Sequence, residues 1–231
     1  MAKSKAIIKE VFVISKKNKL FVTSTVIVIT VVLILSIIVF KKINLNDVNS
    51  IDITKDTEYS PKLGPENAPN KVIEFLDYKC PYCEKIDSGT FKTLKRKYIS
   101  KGKVQYRVIN ASILGKDSIK GSRAAHAINL YYPQKYWDFH HRMFELQSNT
   151  KNTSITDTLI DEELKKINIP KEKLNLIRKS YKTKYSESWN LANRDKELYK
   201  KYKNEYVPSI YVNGKFIKNP YSFKEIENKL K

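Results

Sequence analysis

Two long patterns divide this chain. The first is an apolar run of 21 residues, 20–40, built from Val, Ile, Leu, Phe, Thr and Ser without a single charge. At the rise of an α-helix that length spans the hydrocarbon core of a bilayer. Lys3, Lys5, Lys9, Lys16, Lys17 and Lys19 precede it, and Lys41 and Lys42 close it. The lysine excess lies on the amino side, so the positive-inside rule places the N-terminus in the cytoplasm and the rest of the chain outside. A cleaved signal peptide is the competing reading. Its apolar core is shorter, about 7–15 residues, and ends at a small-residue cleavage site. Ser36-Ile37-Ile38-Val39-Phe40 offers no such site, which favours an uncleaved anchor. No cysteine follows the run, so a lipoprotein anchor is excluded.

The second pattern runs through the remainder. Residues 41–60 are polar and read as a linker, and Gly64-Pro65-Glu66-Asn67-Ala68-Pro69 is turn chemistry at the entrance to a domain of residues 61–231. Val72 to Leu76 reads as a strand. Its two faces, Val72, Glu74, Leu76 and Ile73, Phe75, are both largely apolar, which predicts a central strand covered on each side. A helix is expected from Cys80, with Pro81 in the first helical position, where a missing N–H is harmless. Cys83, Ile86, Thr90, Leu94 and Tyr98 then mark its inward face, leaving Cys80 at the tip towards solvent. Val104, Tyr106 and Val108 alternate with polar residues as a second strand. Residues 115–204 turn helical, with Tyr136 to Leu146, Leu159 to Ile167, and the series Leu174, Ile177, Tyr181, Tyr185, Trp189 at helical spacings. Strand character returns in Ser209-Ile210-Tyr211-Val212. Asn213-Gly214 signals a tight hairpin into Lys215-Phe216-Ile217. Ser222 and Glu225 form a capping-box pattern for a last helix reaching residue 231.

Composition changes this picture at one point above all. Cys80 and Cys83 are the only cysteines in 231 residues, written Cys80-Pro81-Tyr82-Cys83. Two thiols so placed at a helix start can close a small reversible disulfide. The helix N–H groups would stabilise a Cys80 thiolate, making it both nucleophile and leaving group. Structural zinc needs four Cys or His ligands, and only His126, His140 and His141 are available; these read as surface or core residues of the helical region. Haem attachment needs a histidine after Cys83, where Glu84 stands. No glycine-rich phosphate loop and no oxygen-ligand motif is present, so no metal and no cofactor is expected. The aromatic residues from Tyr131 to Phe144 read as packing. Glu74 lies six residues before Cys80 on an apolar face. Burial would raise its pKa and make it a proton donor or acceptor, against the plainer reading of a structural ion pair.

The net charge is +20. Residues 1–42 hold eight lysines and one acid, or +7, which leaves +13 outside. The basic residues interleave with acids, as in Asp161-Glu162-Glu163-Leu164-Lys165-Lys166, and no recognition motif accompanies them. They read as a solvated surface attracted to an anionic envelope, not as a nucleic-acid site.

The order strand, helix, strand, helical insert, hairpin, helix is a βαβ unit plus a ββα unit. Gly64 to Pro69, then Glu74-Phe75-Leu76-Asp77-Tyr78-Lys79-Cys80-Pro81-Tyr82-Cys83, then Val207-Pro208-Ser209-Ile210-Tyr211-Val212-Asn213-Gly214, resemble the DsbA/BdbD-like thiol–disulfide oxidoreductases across residues 60–231. The resemblance implies an α/β thioredoxin-like sheet with a large all-helical insertion, here preceded by one transmembrane helix. It implies that Cys80 and Cys83 are the catalytic, redox-active pair, with Pro81 and Tyr82 between them. It implies a proton-relay role for Glu74, with Arg107 or Gln105 as its partner on the next strand left open. It implies a cis Val207–Pro208 bond beside the disulfide, where the Val207 backbone would pair with an extended substrate. Asp77 and Tyr78 are expected to shape the loop and the substrate surface.

The expected function is an anchored, extracytoplasmic, bacterial oxidase that gives the Cys80–Cys83 disulfide to reduced or unfolded secreted proteins. A quinone-linked membrane partner is the reoxidant that the resemblance implies; small oxidants or another thiol protein are the alternatives. A reductase or isomerase on the same fold is the first rival, since Pro81-Tyr82 does not set direction. No separate dimerisation module is evident, so a monomer is expected. A tethered, non-catalytic chaperone is the rival from another class.

Overall fold

The computed structural model describes residues 29–36, 53–150 and 154–231. The chain divides into two compact units, Met1–Asn49 and Ser50–Lys231. Of the first, residues 29–36 form a helix, α1, whose apolar side chains are exposed. The rest of the expected span 20–40, the basic segment 1–19 and the first part of the linker lie outside the described residues. Among the described residues no helix is long and apolar enough to cross a membrane.

The second unit is built on a five-stranded sheet in the order β1-β3-β2-β4-β5. Its strands are β1 (Lys62–Leu63), β2 (Asn70–Leu76), β3 (Val104–Asn110), β4 (Ser209–Val212) and β5 (Lys215–Ile217). β2 runs parallel to β3, with Val72 opposite Tyr106 and Glu74 opposite Val108. It is antiparallel to β4, with Phe75 opposite Ser209. β2 is buried on both faces, as its doubly apolar pattern predicts. Asn213 and Gly214 take φ 51° and 77°, the left-handed pair that a tight hairpin requires.

β3 departs from expectation. Its polar positions are buried along with the apolar ones. Arg107 Nε donates to Gln105 Oε1 at 2.9 Å, and its Nη1 donates to Thr57 Oγ1 at 3.2 Å and to the Thr54 carbonyl at 2.5 Å. The segment at 53–60, assigned to the linker by its polarity, is thus folded against the sheet, with Ile53 and Thr57 fully buried. A buried guanidinium is tolerable only when its donors find partners; Gln105 takes Nε and this segment takes Nη1.

Cys80 caps α2 (Pro81–Lys85), with Pro81 at its first position. The helix then widens into a π-helical segment, Ile86–Phe91, before continuing as α3 (Lys92–Lys97). The wide turn inserts one residue into the 3.6-residue register. Phe91 therefore joins Cys83, Ile86 and Leu94 in the core, and Thr90, expected there, is only half-buried. Phe91 stacks on Trp137 at 5.4 Å and packs on Tyr106 at 5.0 Å.

The insertion is five helices: α4 (Ser118–Tyr131), α5 (Tyr136–Thr150), α6 (Asp157–Lys166), α7 (Lys171–Lys182) and α8 (Glu187–Lys201). Small buried residues, Gly121, Ala124 and Ala127, let α4 pack closely against its neighbours. The expected continuation through Tyr185 is broken. Tyr185 has φ 63° and is exposed, and Ser186 caps α8 by accepting from Trp189 N. On the sheet, Phe75 packs against Tyr199 and Tyr202. The last helix, α9 (Phe223–Glu227), is capped by Ser222 as expected but stops short of residue 231. The Glu225 carboxylate accepts from Lys218 N and Asn219 N, which leaves the reciprocal half of the capping box unmade.

Candidate active site

The two cysteines occupy the junction of β2, α2 and the loop before β4. Both are thiols in this structure and both are buried; Cys80 is 3% exposed, contrary to the solvent-facing position that its place at the helix tip suggests. The covering group comes from far along the chain. The Val207 carbonyl oxygen accepts from Cys80 Sγ at 3.5 Å, and Val207–Pro208 is a cis peptide. The cis bond and the place of Val207 beside Cys80 are those that the resemblance implies. Pro81 and Tyr82 are the exposed members of the motif, Tyr82 at 57%, and the Tyr82 carbonyl accepts from the Tyr221 hydroxyl at 3.4 Å.

The two sulfurs are electrostatically unlike. A hydrogen bond from the Cys83 thiol, together with the backbone N–H groups of Cys83 and Tyr82, brings Cys80 down to about 7 against the opposing pull of burial and Asp77. Burial pushes Cys83 well above the ordinary thiol range, and its hydrogen bond to Cys80 adds to this. Ultraviolet thiolate absorbance of the reduced full-length chain is expected to rise by one cysteine's amplitude around pH 7. The second amplitude should appear only at strongly alkaline pH; two equal steps near the free-cysteine value of about 8.5 would contradict this asymmetry.

Glu74 lies fully inside, 3% exposed, and burial pushes its carboxyl up to about 8, helped by the charges of Asp87 and Cys80. Its partner is neither Arg107 nor Gln105. The strand register puts both of those on the opposite face, where Arg107 is held by the 53–60 segment. Tyr106, on the same face as Glu74, donates its hydroxyl to Oε2, and Oε1 has no hydrogen-bond partner among the described residues. A neutral phenol leaves the carboxyl protonatable, which a paired arginine would not.

Asp77 shapes the loop as expected but, fully buried, is not substrate surface. Its Oδ1 accepts from Lys79 N at 2.8 Å and from the Ser118 hydroxyl, and its Oδ2 accepts from Ile113 N and Leu114 N at 2.7 and 2.9 Å. Tyr78 is not substrate surface. It is fully buried against Phe139, His140 and Phe144 of α5, so it fastens the insertion to the active-site loop. The aromatic stripe of α5 is packing, as its periodicity implies. Burial pushes His140 down to about 3, which keeps its ring neutral.

A cysteine pair at a helix cap, opposed by a cis-proline loop and underlain by a buried acid, is the arrangement of thiol–disulfide exchange proteins built on a thioredoxin sheet. The comparisons agree. A family model described as Thioredoxin matches residues 56–231. The probable disulfide bond formation protein D of Bacillus cereus is 34% identical over 204 residues, covering 86% of this chain and 90% of that protein. Disulfide bond formation protein D of Bacillus subtilis is 33% identical over 170 residues, covering 72% and 73%. The crystal structure of oxidised BdbD from Bacillus subtilis superposes with a TM-score of 0.67 at 31% identity, over 74% of this chain and 90% of that one. The thiol–disulfide exchange protein α-DsbA2 of Wolbachia pipientis shares the fold, with a TM-score of 0.64 at 23% identity over 80% and 95%. The chain belongs to the thioredoxin family, among the DsbA/BdbD-like protein thiol–disulfide oxidoreductases.

Proposed function

We propose that this chain is an extracytoplasmic disulfide oxidase, held at the membrane by residues 20–40, which donates the Cys80–Cys83 disulfide to secreted or surface proteins. The observation that carries thiol–disulfide exchange at this pair is the opposite tuning of the two sulfurs, Cys80 down to about 7 and Cys83 well up, which makes Cys80 the exchanging sulfur and Cys83 the buried one. A thiol that ionises near neutral pH serves exchange in either direction. The relatives named for disulfide bond formation support the donor direction. The charge-free run 20–40 and the lysines before it support an anchor with residues 61–231 outside.

In the cycle, a substrate thiolate attacks Cys80 Sγ and the Cys80–Cys83 bond breaks. Cys83 leaves as a thiolate in a buried setting that disfavours its charge. Glu74, protonated below about pH 8, supplies a proton to it and becomes a carboxylate. A second substrate thiolate then attacks the substrate sulfur of the mixed disulfide, and Cys80 leaves as a stabilised thiolate. The substrate is oxidised by two electrons and the enzyme holds a dithiol. Reoxidation needs a two-electron acceptor, a quinone-linked membrane partner in this reading; the acceptor takes the electrons as Cys80 and Cys83 close again, with Glu74 taking the Cys83 proton. The Val207 carbonyl, beside Cys80 Sγ, marks where an extended substrate backbone would lie.

The test is stoichiometric transfer. Oxidised full-length chain mixed with a reduced two-cysteine peptide is expected to yield one peptide disulfide and one enzyme dithiol per chain. A peptide that stays reduced would count against a donor role.

A further inference from the structure

Asp87, His140 and His141 lie outside the cycle above, yet two different elements bring them together. Asp87 stands in the π-helical segment, four residues beyond Cys83, and the two histidines are neighbours on α5. A single oxygen, Asp87 Oδ1, is 2.8 Å from His141 Nδ1 and 3.7 Å from His140 Nε2. One ligating atom from each residue lies within 4.8 Å of the others. Two donors each about 2.1 Å from a zinc ion at the tetrahedral angle sit roughly 3.4 Å apart, so the observed spacings straddle what a shared ion needs.

An Asp–His hydrogen bond accounts for Asp87 and His141. It does not account for a second imidazole, 2% exposed, that brings a ring nitrogen towards the same carboxylate oxygen. The other nitrogen of that ring, His140 Nδ1, is 3.2 Å from the Tyr78 hydroxyl. A hydroxyl accepting the Nδ1 proton leaves the Nε2 lone pair free for a metal, the outer contact that orients metal-bound histidines. A groove lined by Glu84, Ser88, Lys92, Lys95, Phe144 and Glu145 opens onto Asp87 and His141; it carries acids and lysines in equal number and gives an ion a way in.

We propose that Asp87, His140 and His141 form a binding site for a divalent first-row transition ion of the zinc type, separate from the cysteine pair. Two imidazoles and one carboxylate suit zinc, whereas calcium takes six to eight oxygens. Three protein ligands leave a coordination position for water.

Thiols also bind zinc, so the test uses the full-length chain carrying Cys80→Ser and Cys83→Ser, which has no cysteine left. Calorimetric titration with Zn²⁺ is expected to show one saturable site per chain, and Co²⁺ to give visible bands without thiolate charge transfer. His141→Ala and Asp87→Asn, each in that background, should weaken Zn²⁺ binding by at least ~10-fold. Zn²⁺ should also shift the ring NMR resonances of His140 and His141 in the unsubstituted-ligand background, a readout that stands if either variant fails to fold. Absence of saturable binding, unchanged affinity in both folded variants, or ring resonances that do not move would each overturn the site.

Discussion

Cys80→Ser is expected to abolish disulfide transfer by the full-length chain, lowering its rate by at least ~10³-fold, because a serine hydroxyl neither forms the enzyme disulfide nor ionises near neutral pH. The structure separates this loss from a folding defect. Cys80 contacts the Val207 carbonyl through one long hydrogen bond, and a serine hydroxyl can make a similar one. The stability change should therefore stay near ~1 kcal/mol, read by urea denaturation. Cys83→Ser should behave differently. It keeps the nucleophile and its backbone N–H donors but loses the buried resolving thiol, so it should accumulate mixed disulfides visible on non-reducing gels. A Cys80→Ser chain that still promotes oxidative folding at the wild-type rate would favour the tethered-chaperone reading.

Glu74→Gln is expected to move stability and rate in opposite directions. In the folded chain Glu74 titrates at about 8, against an ordinary value of 4.5. Between those values the folded chain holds a proton that the unfolded chain has released. Its contribution to stability is therefore full below pH 4.5 and is lost as pH rises towards 8. Glutamine keeps an oxygen for the Tyr106 hydroxyl and carries no charge, so the variant should lack this decline. At pH 8 and above it should exceed the wild type by a few kcal/mol, with ~5 kcal/mol as the ceiling set by the full shift. Exchange should slow by about 10²-fold, because the leaving Cys83 sulfur loses its proton source. Rapid-mixing rates across pH 5–9 check this. The wild-type rate of substrate attack should fall as Glu74 deprotonates near pH 8, and the variant should lack that inflection. Equal rates and identical pH profiles for the two chains would remove Glu74 from the reaction.

What the sequence made legible was whatever rests on local pattern. The doubly apolar run of β2, the Asn213-Gly214 hairpin and the Pro81 helix start each depend on residues within one element, and each is found where the pattern puts it. What escaped depends on residues distant in the chain. Arg107 looked like a partner for Glu74 until the register of β3 turned it to the other face, towards a segment whose polarity read as linker. Tyr106 looked like plain core because a tyrosine in a strand pattern reveals nothing of where its hydroxyl ends. The burial of Cys80 comes from Val207, 127 residues away. The π-helical turn had a faint local sign, since Asp87-Ser88-Gly89-Thr90 is a run of weak helix formers, but which residue it would bury was decided by Trp137 and Tyr106 meeting Phe91. Asp87 and the two histidines are 53 or more positions apart, and only the packing of α5 on α2 brings them together.

The measurement that bears most directly on the central claim is the reduction potential of the Cys80–Cys83 pair in the full-length chain, set by equilibration with glutathione. The role of disulfide donor predicts a value towards the oxidising end, near roughly −120 mV; a value near roughly −270 mV would mark a thioredoxin-like reductant and contradict that role.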